Sequence, residues 1–132
     1  MKITPDTNVL VRAVTGDDAR QSKAAHDALA NADVIALTLP ALCEFVWVLA
    51  RGYKIPPIDI AGAIRRLLNS ANVVANRPAV EAGLAMLDAG GDFADGVIAY
   101  EGRWLGAESF VSFDKSGVKL IKAQGEAAQL LA

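Results

Sequence analysis

Short apolar segments alternate with helical patterns along the whole chain, and this alternation limits the fold more than any other feature. The strand candidates are rich in β-branched residues and cover residues 2–4, 33–37, 72–76, 108–113 and, as a last or edge strand, 118–123. Helical patterns separate them over residues 8–14 (where a turn is the alternative), 17–31, 38–50, 55–70, 78–90 and 92–106. Such alternation predicts an α/β domain with a mainly parallel sheet.

Residues with strong preferences for helix ends mark several of these helices. Asp17 or Asp18 is the predicted cap of the second helix. Thr38 and Pro40 indicate the start of the third helix, which is expected to end before Gly52. Residues 114–117 form a predicted turn, and the tail 124–132 carries no clear pattern.

The composition describes a folded, weakly acidic chain. Its 132 residues fit one domain, 53% of them are hydrophobic, and the formal net charge is −2, which argues against a broad basic nucleic-acid surface. The single Cys43 has no partner for an internal disulfide and suits a reducing cytosol. The longest strictly apolar run, residues 45–50, is far shorter than the ~18 residues that suggest a membrane span. The first ten residues lack a signal-peptide core, so we expect a cytoplasmic chain that does not enter a membrane.

Five acidic residues lie where strands end or helices begin. Asp6 follows the first strand, and Glu44 lies near the start of the helix after the second. Asp92 and Asp95 open the helix that leads to the fourth strand, and Asp114 follows that strand. In a parallel sheet with right-handed crossovers these points share one edge. The sequence therefore predicts a cluster of four or five carboxylates in one cleft.

Most of these acids also have a purely structural interpretation. Asp92 with Asp95 resembles a capping box, and Asp6 is placed to cap the helix that follows it. Asp114 with Ser116 fits an Asx turn.

Glu44 is the acid that a structural role explains least well. It lies too far into its helix to act as a cap, its neighbours are apolar, and no Lys or Arg lies within one turn. Burying such a carboxylate is costly unless something pairs with it. The structural alternative is a glutamate on a thin solvated stripe of the helix.

All the candidate ligands are oxygen donors. Like charges in one cleft repel one another, and a divalent cation removes that repulsion. An oxygen-only site favours Mg²⁺ or Mn²⁺ over Zn²⁺. His26 lies in a polar helical segment and Cys43 faces away from Glu44, so neither is an expected ligand. The sequence has no Walker A motif and no GxGxxG, and a lone histidine disfavours a Ser-His-Asp triad.

Four motifs resemble those of one protein family in their order and spacing. They are DTNVLVR at 6–12, LCEFVWVL at 42–49, DFADGVIA at 92–99 and SFD at 112–114. Together they resemble the PIN-domain ribonucleases, and most closely the VapC-type toxins of bacterial toxin–antitoxin modules. The resemblance implies a PIN-like three-layer α/β/α sandwich around a central, mainly parallel sheet of four to five strands. It also implies that residues 1–132 form a single PIN domain.

The resemblance assigns roles to individual residues. Asp6, Glu44 and Asp95 correspond to the principal metal-ligand acids of the family. Asp92 corresponds to an accessory acid and Asp114 to a more variable fourth acid. Three polar residues correspond to supporting residues of the family: Thr7 and Asn8 beside the first acid, and Ser112 beside the fourth.

The activity that the resemblance implies is hydrolysis of RNA by an endoribonuclease that uses Mg²⁺ or Mn²⁺. It further implies tRNA or rRNA as the substrate, a VapB-type antitoxin as the partner, and a homodimer. An acidic cleft also needs basic residues around it to bind RNA. The candidates are Arg12, Arg51, Lys54, Arg103 and Lys115, and the structural alternative for each is an ordinary solvated charge.

Three other functions share parts of this pattern. A phosphatase of the haloacid-dehalogenase type also begins with an Asp after the first strand, but it needs a second Asp where this chain has Asn8. A phosphorelay receiver leaves Glu44 and Asp95 unexplained. A PIN-fold module that binds RNA or protein without catalysis has the same fold, and the retained acids argue against it.

Overall fold

The computed structural model describes residues 1–132, which fall into two compact units, Met1–Asn76 and Arg77–Ala132. The first unit contains, in chain order, β1 (Lys2–Ile3), α1 (Thr7–Thr15), α2 (Ala19–Asn31), β2 (Val34–Leu37), α3 (Leu39–Arg51), α4 (Pro57–Leu68) and β3 (Val73–Ala75). The second contains α5 (Arg77–Asp88), α6 (Phe93–Trp104), β4 (Phe110–Ser112), α7 (Lys115–Ala123) and β5 (Ala128–Leu130). The single-domain assignment of residues 1–132 stays a prediction.

A three-stranded parallel sheet forms the centre of the first unit, in the order β1-β2-β3. Ile3 pairs with Ile35 of β2, and Ile35 pairs with Val73 of β3. The largest fully buried side chains of this unit come from its helices, and they are Leu10, Leu42, Phe45, Leu49, Ile60 and Ile64. Burial of these side chains is the main stabilising term of the unit.

Two glycines allow close packing of α5 on α6 in the second unit. A Cβ atom on Gly83 would lie 2.6 Å from the ring of Phe93, which is fully buried. A Cβ atom on Gly96 would overlap the carbonyl oxygen of Ala82. The remaining elements of this unit include a parallel pair formed by β4 and β5.

The structure confirms the predicted α/β class, the parallel pairing and the helix limits near α2 and α3. Asp18, one of the two candidate caps, accepts a hydrogen bond of 3.0 Å from the backbone N–H of Gln21. Thr38 caps α3, and α3 ends at Arg51, just before Gly52. The strands number five, but they form one three-stranded and one two-stranded sheet.

The prediction of a strand over residues 118–123 is wrong, because these residues belong to α7. The predicted turn at 114–117 is the start of the same helix, with Asp114 as its N-cap. Val118 and Ile121 are buried and three residues apart, which is a helical spacing that a short apolar segment hides. The last strand is instead β5, in the tail that showed no clear pattern. None of the seven helices combines the length and hydropathy that crossing a membrane requires.

Candidate active site

Asp6 is held at the end of β1 and the start of α1. The Thr4 hydroxyl donates a hydrogen bond of 2.9 Å to the carbonyl of Ala36, which ties the segment after β1 to β2. Asp6 is then the N-cap of α1, where its Oδ1 accepts a hydrogen bond of 3.2 Å from the N–H of Val9. The cap uses one carboxylate oxygen, so the structural and the ligand interpretations of Asp6 are compatible. The side chain is exposed to solvent.

Glu44 lies on the exposed side of α3, beside Asp6. The buried residues of α3 are Ala41, Leu42, Phe45, Val46 and Leu49, and Glu44 is absent from that face. Glu44 therefore carries no burial cost, and the solvated alternative is correct about its exposure. Both Glu44 and Asp6 line one open cavity of about 320 Å³, which we call the acid cavity. Two of the predicted acids, 38 residues apart in sequence, thus come together in the first unit.

The acids of the second unit lie at the starts of α6 and α7. Asp92 is the N-cap of α6, and its Oδ1 accepts a hydrogen bond of 2.9 Å from the N–H of Ala94. Asp114 is the N-cap of α7, and its Oδ1 accepts one of 3.0 Å from the N–H of Ser116. Both acids therefore cap their helices, Asp114 in an Asx turn, whereas Asp95 does not accept the reciprocal hydrogen bond of a capping box with Asp92. Asp95, in the first turn of α6, is half-buried.

Gly117 lies at the point where two of these carboxylates meet. A Cβ atom on Gly117 would lie 2.9 Å from Oδ2 of Asp95 and 3.2 Å from Oδ2 of Asp114. Only a residue without a side chain leaves this space open to both oxygens. The sequence pattern predicts only a turn at Gly117 and does not indicate this role. The available signal was a glycine three residues after an acid that caps a helix.

Charge crowding and burial change the acidity of Asp95. Burial raises the pKa of the Asp95 carboxyl above its usual range, and the nearby charges of Asp92 and Asp114 raise it further. Both effects disfavour the ionised form, and a cation would reverse the second of them. The three acids thus form one electrostatic group.

The predicted supporting residues fix the backbone around the acids. Thr7 is buried, and its hydroxyl donates a hydrogen bond of 3.5 Å to the carbonyl of Ala41, which links α1 to α3. Ser112 Oγ accepts one of 2.9 Å from the N–H of Asp114. Asn8 is exposed, and it lines a second cavity described below.

The five predicted basic residues have different surroundings. Arg12 forms an ion pair of 2.7 Å with Asp17. Arg103 forms a longer one of 3.5 Å with Glu126, and its guanidinium lies 5.9 Å from the ring centre of Tyr100. The other three are exposed, and they are Arg51, Lys54 and Lys115. A role of any of them in RNA binding stays a prediction.

The donor set suits a hydrated, hard cation. No group of three or more His, Cys, Asp or Glu side chains lies close enough in the structure to enclose a metal ion without other ligands. Mg²⁺ is commonly bound by one or two carboxylates and keeps several waters or substrate phosphates in its shell. The pairs Asp6–Glu44 and Asp95–Asp114 match that requirement and do not match an all-protein cage.

Comparison with known protein families assigns this α/β chain to one of them. The family model of the PIN domain matches residues 3–120, which include all five acids. The chain belongs to the PIN-domain family and has the PIN-like α/β fold that its motifs predicted. PIN domains are generally nucleases, and these typically use divalent metal ions. A search of curated proteins found no match.

Proposed function

We propose that this chain is an endoribonuclease that depends on Mg²⁺ or Mn²⁺ and hydrolyses phosphodiester bonds of RNA. The observation that carries the proposal is the approach of the Asp95 and Asp114 oxygens to the space above Gly117. Cap hydrogen bonds account for Asp92 and Asp114, and the helix dipole favours an acid at Asp95 in the first turn of α6, but neither gives a reason for a carboxyl that is half-buried and crowded by two other acids. A hydrolytic metal site gives that reason.

The residues proposed to hold the metal are Asp6, Glu44 and Asp95, with Asp92 and Asp114 as accessory acids. A Mg²⁺ or Mn²⁺ held by these residues would polarise a phosphoryl oxygen and would lower the pKa of a coordinated water. Asp6, Asp92 and Asp114 are held in place by cap hydrogen bonds, so their geometry needs little reorganisation when substrate binds. Asp95 retains its proton to a higher pH than an ordinary carboxyl and gives it up when a cation binds.

The substrate and biological role follow from the family resemblance. We propose that the RNA is a structured one such as tRNA or rRNA, and that the chain is the toxin of a type II toxin–antitoxin module. A VapB-type antitoxin and a homodimeric assembly belong to the same proposal. The net charge of −2 fits recognition of RNA shape and unpaired bases better than binding by a broad basic face.

Cleavage of RNA by acid-to-amide variants tests the activity. Purified chain is incubated with tRNA and rRNA in Mg²⁺ or Mn²⁺, beside Asp6→Asn, Glu44→Gln and Asp95→Asn. Asn still caps α1 at position 6, so that variant is expected to fold. Mutation of a residue that hydrogen-bonds to a metal ligand typically lowers activity or metal affinity by roughly 10–100-fold. Mutation of a ligand itself is therefore expected to slow RNA cleavage by at least about 100-fold.

The chain offers matched controls for two of these variants. Asp18→Asn changes the N-cap of α2 in the same way that Asp6→Asn changes the N-cap of α1. Glu81→Gln changes another exposed helical glutamate, as Glu44→Gln does. Both controls are expected to cleave like the unaltered chain. Cleavage that survives EDTA, or that Asp6→Asn and Glu44→Gln leave unchanged, contradicts the proposed activity.

Growth of a bacterial host tests the toxin role separately. Expression of the unaltered chain is expected to stop growth, and expression of Asp6→Asn is not. Co-expression of a small protein encoded beside the gene is expected to restore growth. If the chain cleaves RNA in vitro but does not slow growth of the host, the proposed activity stands and the proposed toxin role is wrong.

A further inference from the structure

A cavity of about 500 Å³ lies between α1 and α2, and we call it the α1–α2 cavity. Its volume falls in the range of about 300–1,000 Å³ that is typical of small-molecule sites. Asp6 lines this cavity and also lines the acid cavity, so the two cavities adjoin at this residue. A group bound in the α1–α2 cavity therefore lies next to whatever Asp6 binds.

The walls of the α1–α2 cavity combine apolar surface with two side-chain amides. Val9 of α1 and Ala24 and Ala28 of α2 supply the apolar part. Asn8 of α1 and Gln21 of α2 supply the amides. Planar nucleobases bury their faces on apolar surface, and Asn and Gln pair with base edges through one donor and one acceptor.

An anchored arginine also lines this cavity. Arg12 Nη1 donates to Oδ1 of Asp17 at 2.7 Å and to the Tyr53 hydroxyl at 3.5 Å. The Tyr53 hydroxyl and the Thr15 hydroxyl donate to Asp17 at 2.7 and 2.9 Å. These hydrogen bonds, with the charge of Arg12, hold the pKa of Asp17 down to about 2.

The anchoring matters because it fixes Arg12 before any ligand arrives. Both of its hydrogen bonds use Nη1, and a guanidinium has five N–H donors. A side chain whose rotamer is already ordered loses less entropy when it binds a ligand. The network therefore presents the remaining N–H donors of an ordered guanidinium, already paired with Asp17, beside the two amides.

We propose that the α1–α2 cavity binds one nucleoside of the RNA strand, adjacent to the phosphate that is cleaved beside Asp6. Asn8 and Gln21 select the base, and Arg12 contacts the sugar–phosphate of the same nucleotide. This inference rests on the proposed ribonuclease function. An apolar peptide side chain would also fill such a volume, but it gives no role to two amides and an anchored arginine.

Titration of the chain with mononucleotides tests the inference without any catalysis. The probes are AMP, GMP, CMP and UMP, with ribose 5-phosphate as the probe that lacks a base, all in EDTA. Amide resonances of ¹⁵N-labelled protein are expected to shift at residues 8–12 and 21–28. At least one nucleotide is expected to bind about tenfold more tightly than ribose 5-phosphate, as base contacts add selectivity.

Variants of α2 connect the binding to the cavity. Ala24→Leu and Ala28→Leu fill it, and both positions are exposed, so the helix tolerates the larger side chain. Ala30→Leu is the matched control, because Ala30 is exposed on the same helix and does not line the cavity. The filled variants are expected to weaken nucleotide binding about tenfold or more, and the control is expected to leave it unchanged.

Three results would overturn the inference. They are binding of ribose 5-phosphate that equals that of every nucleotide, shifts that lie outside the α1–α2 cavity or do not appear, and binding that Ala24→Leu leaves intact. If a peptide shifts these resonances and no nucleotide does, the cavity binds a protein partner and not a nucleoside. Failure of the ribonuclease function looks different, since nucleotides then bind and no RNA is cleaved.

Discussion

Gly117→Ala is the substitution that separates the stability of the second unit from the geometry of its acids. The added methyl group would lie 2.9 Å from Oδ2 of Asp95 and 3.2 Å from Oδ2 of Asp114, and ordinary contacts begin near 3.4 Å. The Asp95 oxygen must therefore retreat by about 0.5 Å and the Asp114 oxygen by about 0.2 Å, from these distances. Both oxygens are ends of side chains, so the backbone of α7 need not move.

The displacement sets the expected loss of activity. A misplacement of 1 Å in a catalytic group costs roughly 10²-fold, so half of that distance is expected to cost about tenfold. Stability moves the other way or not at all, because Gly→Ala within a helix adds about 0.5–1 kcal/mol. We therefore expect a variant that unfolds within about 1 kcal/mol of the unaltered chain and cleaves RNA about tenfold more slowly.

Urea unfolding and RNA cleavage are measured on Gly117→Ala beside Gly62→Ala. Gly62 is also helical, and a Cβ atom there would make only an ordinary contact of 3.5 Å with Nη1 of Arg66. The control is expected to gain stability and keep full activity. Full activity in Gly117→Ala would refute the reasoning, because the Asp95 and Asp114 oxygens would then have no part in cleavage.

Three further predictions concern stability. Asp17 has a folded-state pKa of about 2 against an ordinary 3.8, so the stability that its ionised form contributes is present above pH 3.8 and lost as pH falls towards 2. In urea unfolding, Asp17→Asn is expected to be less stable than the unaltered chain at pH 5.5 and equally stable near pH 2. The raised pKa of Asp95 has the opposite effect on the pH dependence, since stability is lost as pH rises through that pKa. In EDTA at pH 7.5, Asp95→Asn is expected to resist urea unfolding better than the unaltered chain. Equal stability of the two proteins there would contradict the crowding of the acids. Gly96→Ala places a methyl group on the backbone of Ala82, and differential scanning calorimetry is expected to show a loss of at least about 1–3 kcal/mol.

The sequence was informative where a residue type has one strong local preference. Thr38 followed by Pro40, and Asp18 before a helical pattern, mark real helix starts, because their side chains satisfy backbone N–H groups. The acids were proposed by the same kind of rule, since strand ends and helix starts are where parallel sheets bind ligands. Glu44 shows the limit of this rule: its place in the acid cavity was predicted, but its exposure on an apolar helix was not decided by the sequence.

What the sequence left undecided depends on packing between distant residues. The strand predicted over residues 118–123 is a helix. Its buried residues Val118 and Ile121 have a helical spacing, but six residues are too few for that period to be distinguished from a short buried strand. The role of Gly117 depends on the position of Asp95, 22 residues earlier, which no local pattern encodes. The anchoring of Arg12 likewise needs Tyr53, which is 41 residues away.

Binding of Mn²⁺ in the absence of RNA is the most direct test of the central claim, that these acids hold a catalytic divalent metal. Electron paramagnetic resonance measures free Mn²⁺ during titration of the unaltered chain, Asp6→Asn, Asp95→Asn and the control Glu81→Gln. We predict that the unaltered chain and the control bind Mn²⁺ equally, and that each aspartate variant binds Mn²⁺ at least about tenfold more weakly. Equal binding by all four proteins, or cleavage of RNA by a chain that binds no Mn²⁺ or Mg²⁺, would contradict it.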